Sequence, residues 1–537
     1  MSGEGLQFVP FLPAANRLVT DYLAGKEAAA DFYGGWIDEP GRIEKIAGRM
    51  DHRFDRKRAA DILRGQRTFA LVEAGEKRLK DFINRRGFIV VTGQQPVLFG
   101  GPLYVLYKTA SALALANRIE NLLGVPVLTV FWNASEDHDF QESSSIRLPD
   151  LQNRLVQLTI SPGAEANQPL CHLQVGAEAG LLFDRLKEIS PDTEFAPGVL
   201  SLLAASYTGG VDLGLAFSRL IAGFFSGRGL FVVDACSPEL RKYSRELFEA
   251  EIFDSAASSQ AVASANQRLE ELGYPLQVAP QPDDTSLFLI TDSGREKLQR
   301  TAREDVFRLK NSGKEIPAEE LRRLLDSYPT SFSPGVQMRP LMEASLFGTL
   351  CYVAGPGEIS YYAQLGPLYD LRGLEMPLIY PRLGGILVES KIGRVLEKFA
   401  IQPAELEAGA ERVARGLAGR EGLVSGLMAE IGALRDELEK RIVRLGETAE
   451  KIDPTLAGPL NATRQAIGSG LDKFSAKLEA AAARRDETLL AQLGKAATHL
   501  WPEGKPQERT IAAVYYFLRY GLDLIDFTLD QVRVEIK

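Results

Sequence analysis

The stretch from Gly87 to Trp132 constrains the fold more than any other part of the chain. Gly87-Phe88-Ile89-Val90-Val91-Thr92 is a short β-branched run, the composition of a buried strand. It passes into Gly93-Gln94-Gln95-Pro96 and Gly100-Gly101-Pro102, then into an apolar helix from about Leu103 to Leu123 that Gly124 is placed to end. Val125–Trp132 reads as a second buried strand. Strand, glycine turn, helix, strand is a βαβ unit, which implies parallel strands and a right-handed crossover.

Other segments extend this unit. Residues 14–85 read as helical, broken at Pro40-Gly41. Further strands are expected at Asn153–Ser161, Gly229–Asp234, Leu350–Ala354 and Leu378–Tyr380, with helices at roughly 212–227 and 239–272. Residues 285–316 suggest a small β-rich insertion, with strands at Ser286–Thr291 and Val306–Leu309, inside a segment of about 275–330. The alternation predicts an α/β fold, a doubly wound, Rossmann-like parallel sheet with insertions over 1–388.

After about Glu389 the composition shifts to Ala, Leu, Glu, Arg and Lys. Leu427 and Leu434 are seven apart, as are Ile431, Leu438, Leu445 and Ile452. Asp453-Pro454 and Gly458-Pro459 break the run, which resumes at Leu460, Ile467 and Phe474 with Leu471 and Leu478 beside them. Two heptad helices around a Pro/Gly turn predict an antiparallel coiled-coil hairpin within 389–503, and a homodimer through it. A last helix, about Glu508–Tyr520 within 504–537, carries Tyr515, Tyr516, Phe517 and Tyr520 and is expected to dock on the body.

Bulk properties narrow the function. With 537 residues the chain has room for about three units. A hydrophobic share of 45% and a net charge of -9 indicate a globular chain without the field of a nucleic-acid coat. Neither a basic-then-apolar leader nor a run of 18 apolar residues is present, so a soluble, cytoplasmic protein is expected. Three scattered cysteines (Cys171, Cys236, Cys351) argue for a reducing compartment and against disulfides. The four histidines and these cysteines make no zinc pattern, Cys171-His172 reading as structural; no zinc site is expected.

Three clusters point to chemistry. The Gly93–Lys108 segment, with Gln94, Gln95, Gly101, Tyr104 and Lys108, reads as a glycine turn at a helix N-terminus, a place for phosphate or carboxylate; the alternative is a turn that needs glycine for packing. It is neither a Walker loop nor the dinucleotide fingerprint. Glu136-Asp137-His138-Asp139 follows the strand that ends at Trp132, where α/β sheets bind ligands. Repulsion among three carboxylates is expected to raise some of their pKa values and to favour a charged imidazole, giving a group that moves protons, holds an ammonium or binds Mg²⁺; the alternative is a solvated acidic loop. Gly355-Pro356-Gly357-Glu358-Ile359-Ser360-Tyr361-Tyr362 forms a third turn after a strand, and Arg339 in the polar stretch ahead of it suits a carboxylate or phosphate if it is not a surface ion pair.

Gly93-Gln94-Gln95 with Gly101-Pro102-Leu103-Tyr104 and Lys108, Phe131-Trp132 with Glu136-Asp137-His138-Asp139, Arg339-Pro340 with Ala354–Ile359, and the tail's Gln507-Glu508-Arg509 and Tyr516-Phe517-Leu518 together resemble the bacillithiol-biosynthesis cysteine-adding enzymes, the BshC family. The resemblance spans nearly the whole chain. It implies a Rossmann-like core related to nucleotidyltransferases, a dimerising coiled coil, and a ligase that joins the carboxyl of L-cysteine to the amine of glucosaminyl malate in the last step of making bacillithiol. A carboxylate must be activated before an amine attacks it, for which ATP with Mg²⁺ is the usual device and the expected activator, although the His-Ile-Gly-His and Lys-Met-Ser-Lys-Ser signatures of nucleotidyltransferases are missing. The expected roles are phosphate binding at the Gly93 and Gly355 turns, charge offset by Lys108 or Arg339, proton acceptance by His138 with Asp137 or Asp139, and an ammonium contact from Glu136 or Glu358. Trp132, Gly357 and Tyr361 complete the expected binding set. The competing readings are another adenylate-forming ligase or nucleotidyltransferase on this frame, and a nucleotide-sensing coiled-coil scaffold.

Overall fold

The computed structural model describes residues 5–535 apart from 12–14, 37, 162–167, 177, 280, 282, 419–421 and 486. Met1–Glu4 and residues 12–14, part of the N-terminal segment read above for a leader, lie outside the described residues.

Five parallel strands form the central sheet, in the order Leu378–Pro381, Thr349–Ala354, Phe88–Gln94, Val127–Asn133 and Leu230–Asp234. Numbered along the chain this is 5-4-1-2-3, a doubly wound order that reverses direction between Phe88–Gln94 and Thr349–Ala354. The middle strands are buried on both faces, which explains their unbroken apolar composition.

The crossover helix spans Leu103–Leu123 and ends at Gly124 in the left-handed conformation, as the sequence predicts. It is buried along most of its length because the sheet covers one side and the C-terminal helix Leu524–Glu535 the other. Residues 14–85 fold into several short helices, and the expected 239–272 helix is divided into Pro238–Tyr243, Arg245–Phe253 and Ser255–Glu271.

The β-rich insertion is a five-stranded antiparallel sheet in the order Glu315–Pro317, Val306–Leu309, Gly294–Arg300, Asp284–Thr291 and Phe332–Pro334. Ser145–Pro149 and Leu155–Thr159 pair as a hairpin beside the sheet. Leu6–Pro10, which carries no clear strand signal in sequence, pairs antiparallel with Gly385–Glu389.

Gly422–Ile452 and Ala457–Arg485 make the antiparallel helical hairpin, closed by Asp453, whose carboxylate accepts the Thr455 N–H at 2.9 Å. Arg464 and Glu439 bond across it at 2.9 Å, and Arg435 pairs with Asp472. The heptad reading needs correction in detail. Ile431, Leu438, Leu460, Ile467, Leu471 and Leu478 are half-buried, whereas Leu427, Leu434, Leu445, Ile452 and Phe474 are exposed. A helix of 3.6 residues per turn drifts about 20° per heptad against a seven-residue repeat, so a long series leaves the seam. By this level the seam has moved to Gly446, which sits against Leu460.

A second correction concerns the cysteines. Cys171 and Cys236 are joined in a disulfide with Cα atoms 6.5 Å apart, and only Cys351 is free. The 65-residue separation hid the pairing; the fold brings the loop after the acidic cluster beside the end of the Leu230–Asp234 strand. Among the described residues no helix is long and apolar enough to cross a membrane.

Candidate active site

Two cavities lie at the carboxyl ends of the central strands, beside the point where the strand order reverses. Gln94 and Glu358 line both. The inner one, of about 380 Å³, is lined by Gly93, Gln94 and Gln95 from the first strand and its loop, Glu136 and Asp137 after the second, Arg339 and Tyr361 from the fourth-strand region, and Phe288, Arg295 and Lys297 from the insertion. The outer one, of about 490 Å³, lies between Tyr104, Lys108 and the Gly355–Glu358 turn on one side and the tail on the other. The three sequence clusters therefore meet in one region.

Gly93 differs from its expected role. It is the sixth residue of the Phe88–Gln94 strand, paired with Trp132, and a Cβ there would stand 2.7 Å from the Trp132 carbonyl oxygen. Its lack of a side chain serves strand packing, the alternative weighed above. Gly101 adopts a φ of +75° in the turn before the crossover helix, and its carbonyl accepts the Ala513 N–H at 3.0 Å. The first N–H of that helix, Leu103, donates to the Ile511 carbonyl at 3.0 Å, so the tail rather than an anion caps it. Trp132 is a core side chain packed edge-on against Phe347, outside both cavities.

Lys108 is buried and pairs with Glu358 at 2.7 Å, while its ammonium also donates to the Gly93 carbonyl. Burial pushes Lys108 down, and Glu358 opposes that shift. Glu358 also accepts the Gly355 N–H at 2.7 Å as part of the helix cap and the Tyr352 hydroxyl at 2.6 Å. Burial raises its carboxyl, but Lys108, Arg339 and the Gly355 N–H outweigh that and hold it below its usual range. With both oxygens engaged, Glu358 fixes the wall between the cavities. Gly355 caps the Pro356–Tyr362 helix, and Gly357 in its first turn has open space where a Cβ would project. Arg339 reaches Glu343 and the Tyr361 hydroxyl, so it is a partly buried paired cation rather than a surface one. Burial lifts Glu343 to about 7 despite Arg339.

The acidic cluster separates into distinct environments. Glu136 is buried, and its Oε2 has no hydrogen-bond partner among the described residues. Burial, not repulsion among carboxylates, raises its pKa, against the pull of Arg241 and Arg295. Asp137 accepts the backbone N–H of His138 at 2.7 Å; burial raises its carboxyl, but His138 and Arg295 prevail and hold it low. His138 Nδ1 lies 3.2 Å from Arg295 Nη1 and 3.5 Å from Asp137 Oδ1, so one guanidinium and one carboxylate surround it in place of three carboxylates. Asp139 is exposed and caps the Phe140–Ser143 helix through the Glu142 N–H at 3.0 Å, which removes it from the site.

Cations missed in the sequence complete the inner cavity. Arg295 lies over the Phe288 ring at 3.9 Å, Lys297 at 4.5 Å from its centroid, and Arg295 donates to the Pro334 carbonyl at 2.7 Å and Ser333 Oγ at 2.9 Å. Arg241 is fully buried behind Glu136, and burial lowers it to about 10. Among the described residues no three His, Cys, Asp or Glu side chains gather as a metal set.

A family model for the N-terminal Rossmann-like domain of bacillithiol biosynthesis BshC matches residues 6–383, and one for its C-terminal coiled-coil domain matches 385–534. The chain belongs to the BshC family. Relatives named "Putative cysteine ligase BshC" are 36% identical in Salinibacter ruber, over 96% of this chain and 94% of theirs, and 32% identical in Chlorobaculum tepidum, over 95% and 93%. A third, from Koribacter versatilis, is 30% identical over 97% and 96%. In this member of the BshC family the outer cavity takes residues from both matched segments, since Lys505, Arg509, Thr510 and Ala512 line it opposite Gln94 and Tyr104.

Proposed function

We propose that the chain is a ligase of bacillithiol biosynthesis that joins the carboxyl of L-cysteine to the amine of glucosaminyl malate, the last step of that pathway. The observation that carries this reading is the inner cavity's charge pattern: the unpartnered Oε2 of buried Glu136 on one wall, and Arg295, Lys297 and Arg339 on the others. An amino acid is an ammonium and a carboxylate a few ångströms apart, and these walls complement that pair. The α-ammonium of cysteine would supply the hydrogen bond that Glu136 lacks among the described residues and oppose the upward shift that burial gives its carboxyl. The cysteine carboxyl then lies toward the cations, which offset the negative charge that grows on its oxygens as an amine attacks.

The amine must shed a proton as the C–N bond forms. Asp137, held as a carboxylate at the cavity edge, and His138 beside it are the acceptors the geometry offers. ATP with Mg²⁺ is the proposed activator: it would supply phosphoryl or adenylyl transfer to the carboxylate, so that phosphate or AMP leaves in place of hydroxide when the amine attacks. Mg²⁺ would be held mostly by the ATP phosphates with half-exposed Asp137 as its carboxylate, and His138 is then left to accept the proton. Exposed Leu434, Leu445 and Phe474 on the helical hairpin support a homodimer.

The test is to supply the full chain with cysteine, glucosaminyl malate and ATP-Mg²⁺ and to look for the amide by mass spectrometry, for wild type and Glu136→Gln. The expected result is product from wild type and a KM for cysteine raised on the order of 10- to 100-fold in the variant. An unchanged cysteine KM in Glu136→Gln refutes the ammonium contact. Loss of the gene without build-up of glucosaminyl malate in cells refutes the reaction.

A further inference from the structure

The outer cavity carries a charge pattern that the cysteine site leaves unused. Five cations line it, and three are already committed: Lys108 to Glu358, Arg147 to Glu503 at 2.8 Å, and Arg382 to Glu508 at 2.9 Å. Arg509 and Lys505 have no ion-pair or hydrogen-bond partner for their side chains among the described residues. Both come from the tail, whose backbone is fastened to the core by Ala512 N–H to the Arg147 carbonyl at 2.9 Å and Ala513 N–H to the Gly101 carbonyl at 3.0 Å. Their position is therefore set by the fold. Facing them is exposed Glu142, whose carboxyl is raised by desolvation and by Asp139 and Asp137, against Gln95 and Arg509.

We propose that this cavity seats the amine substrate, with Arg509 and Lys505 gripping two carboxylates and Glu142 receiving the ammonium and taking the one proton that frees its lone pair, the second leaving to His138 as the C–N bond forms. A guanidinium fork and a point ammonium on one wall suit a ligand that bears two carboxylates close together, and a single carboxylate opposite suits its amine. The shared wall of Gln94 and Glu358 then sets that amine beside the inner cavity, where the cysteine carboxyl lies. Selection of the amine thus rests with residues of the C-terminal segment, and selection of the amino acid with the core and its insertion. This assignment rests on the ligase reading above and adds to it which ligand occupies which chamber.

Isothermal titration calorimetry of the full chain with glucosaminyl malate, D-glucosamine and ATP-Mg²⁺ tests it, for wild type, Arg509→Ala and Lys505→Ala. Both replaced side chains are exposed and, among the described residues, unpaired, so the variants keep the fold; unchanged circular dichroism and an unchanged cysteine titration verify this. Expected are glucosaminyl malate binding by wild type, weakening on the order of 10- to 100-fold in Arg509→Ala, and little change for D-glucosamine, which lacks the dicarboxylate. The assignment is overturned if wild type does not bind glucosaminyl malate, if Arg509→Ala binds it as tightly, if both amines weaken equally, or if ATP is the ligand that Arg509→Ala loses. Failure of the ligase reading shows itself differently: glucosaminyl malate binds in the expected way, yet no amide forms with cysteine and ATP-Mg²⁺.

Discussion

The Arg382–Glu508 pair gives a sharp energetic prediction. Arg382 follows the last central strand and is 5% exposed; Glu508 starts the tail and is 1% exposed. The carboxylate takes both guanidinium nitrogens and, at 3.3 Å, the Gly385 N–H, while Arg382 also donates to the Leu383 carbonyl at 2.7 Å. Arg382→Met leaves a buried carboxylate with one long hydrogen bond, and Glu508→Leu leaves a buried guanidinium with one carbonyl. Each costs about 3–5 kcal/mol. The double variant buries no charge and orphans only the Leu383 carbonyl and the Gly385 N–H, a loss partly offset by new apolar packing, so its expected cost is about 1–3 kcal/mol. The coupling energy of the cycle is then about 3 kcal/mol or more, against the few tenths expected of independent sites. Urea unfolding followed by fluorescence measures it, since buried Trp132 and Trp501 report on the sheet and on the C-terminal segment. A double variant that costs as much as the two singles added refutes the account, as does a single variant that costs under about 1 kcal/mol.

Glu343 ionises at about 7 in the fold and near 4.5 when unfolded, so its contribution is fully present below about pH 4.5 and is lost as pH rises through 7. Wild type should lose about 3 kcal/mol relative to Glu343→Gln between pH 4.5 and 8, and parallel stability–pH curves for the two would refute this. Leu438→Glu should lower the thermal midpoint of the helical hairpin, whereas Leu434→Glu should keep the hairpin and weaken the proposed homodimer; circular dichroism and light scattering separate the two outcomes. Reduction of Cys171–Cys236 removes a cross-link that closes a 65-residue separation, worth about 4 kcal/mol on chain-entropy grounds, so dithiothreitol should lower the first unfolding midpoint and leave Cys171→Ser unaffected.

The sheet and its crossover were legible because strand and helix periods are local: Phe88–Gln94, Leu103–Leu123 and Val127–Asn133 follow directly from runs of neighbouring residues. The acidic turn and the Gly355 turn were legible for the same reason. The cations were not. Arg295 and Lys297 come from an antiparallel insertion more than 150 residues after Glu136, and nothing in their neighbourhood distinguishes them from solvated charges. Trp132 was misassigned because a large aromatic at a strand end looks the same in sequence whether it faces a ligand or a core. Asp139 was grouped with Glu136 and Asp137 because adjacency in sequence does not reveal that one carboxylate turns away to cap a helix. Arg509 lay within a tail motif already singled out, but its place on a cavity wall depends on how the tail returns to the core.

The pairing of Leu6–Pro10 with Gly385–Glu389 means that the molecule's two matched segments are not interchangeable cassettes. A cut between 383 and 385 would strip Gly385–Glu389 of the strand it pairs with and leave an open β-edge for other chains to add to. Insertions, tags and fusions at the amino terminus therefore act on the second segment as directly as on the first, and any effort to produce the helical part alone should carry residues 5–11 with it.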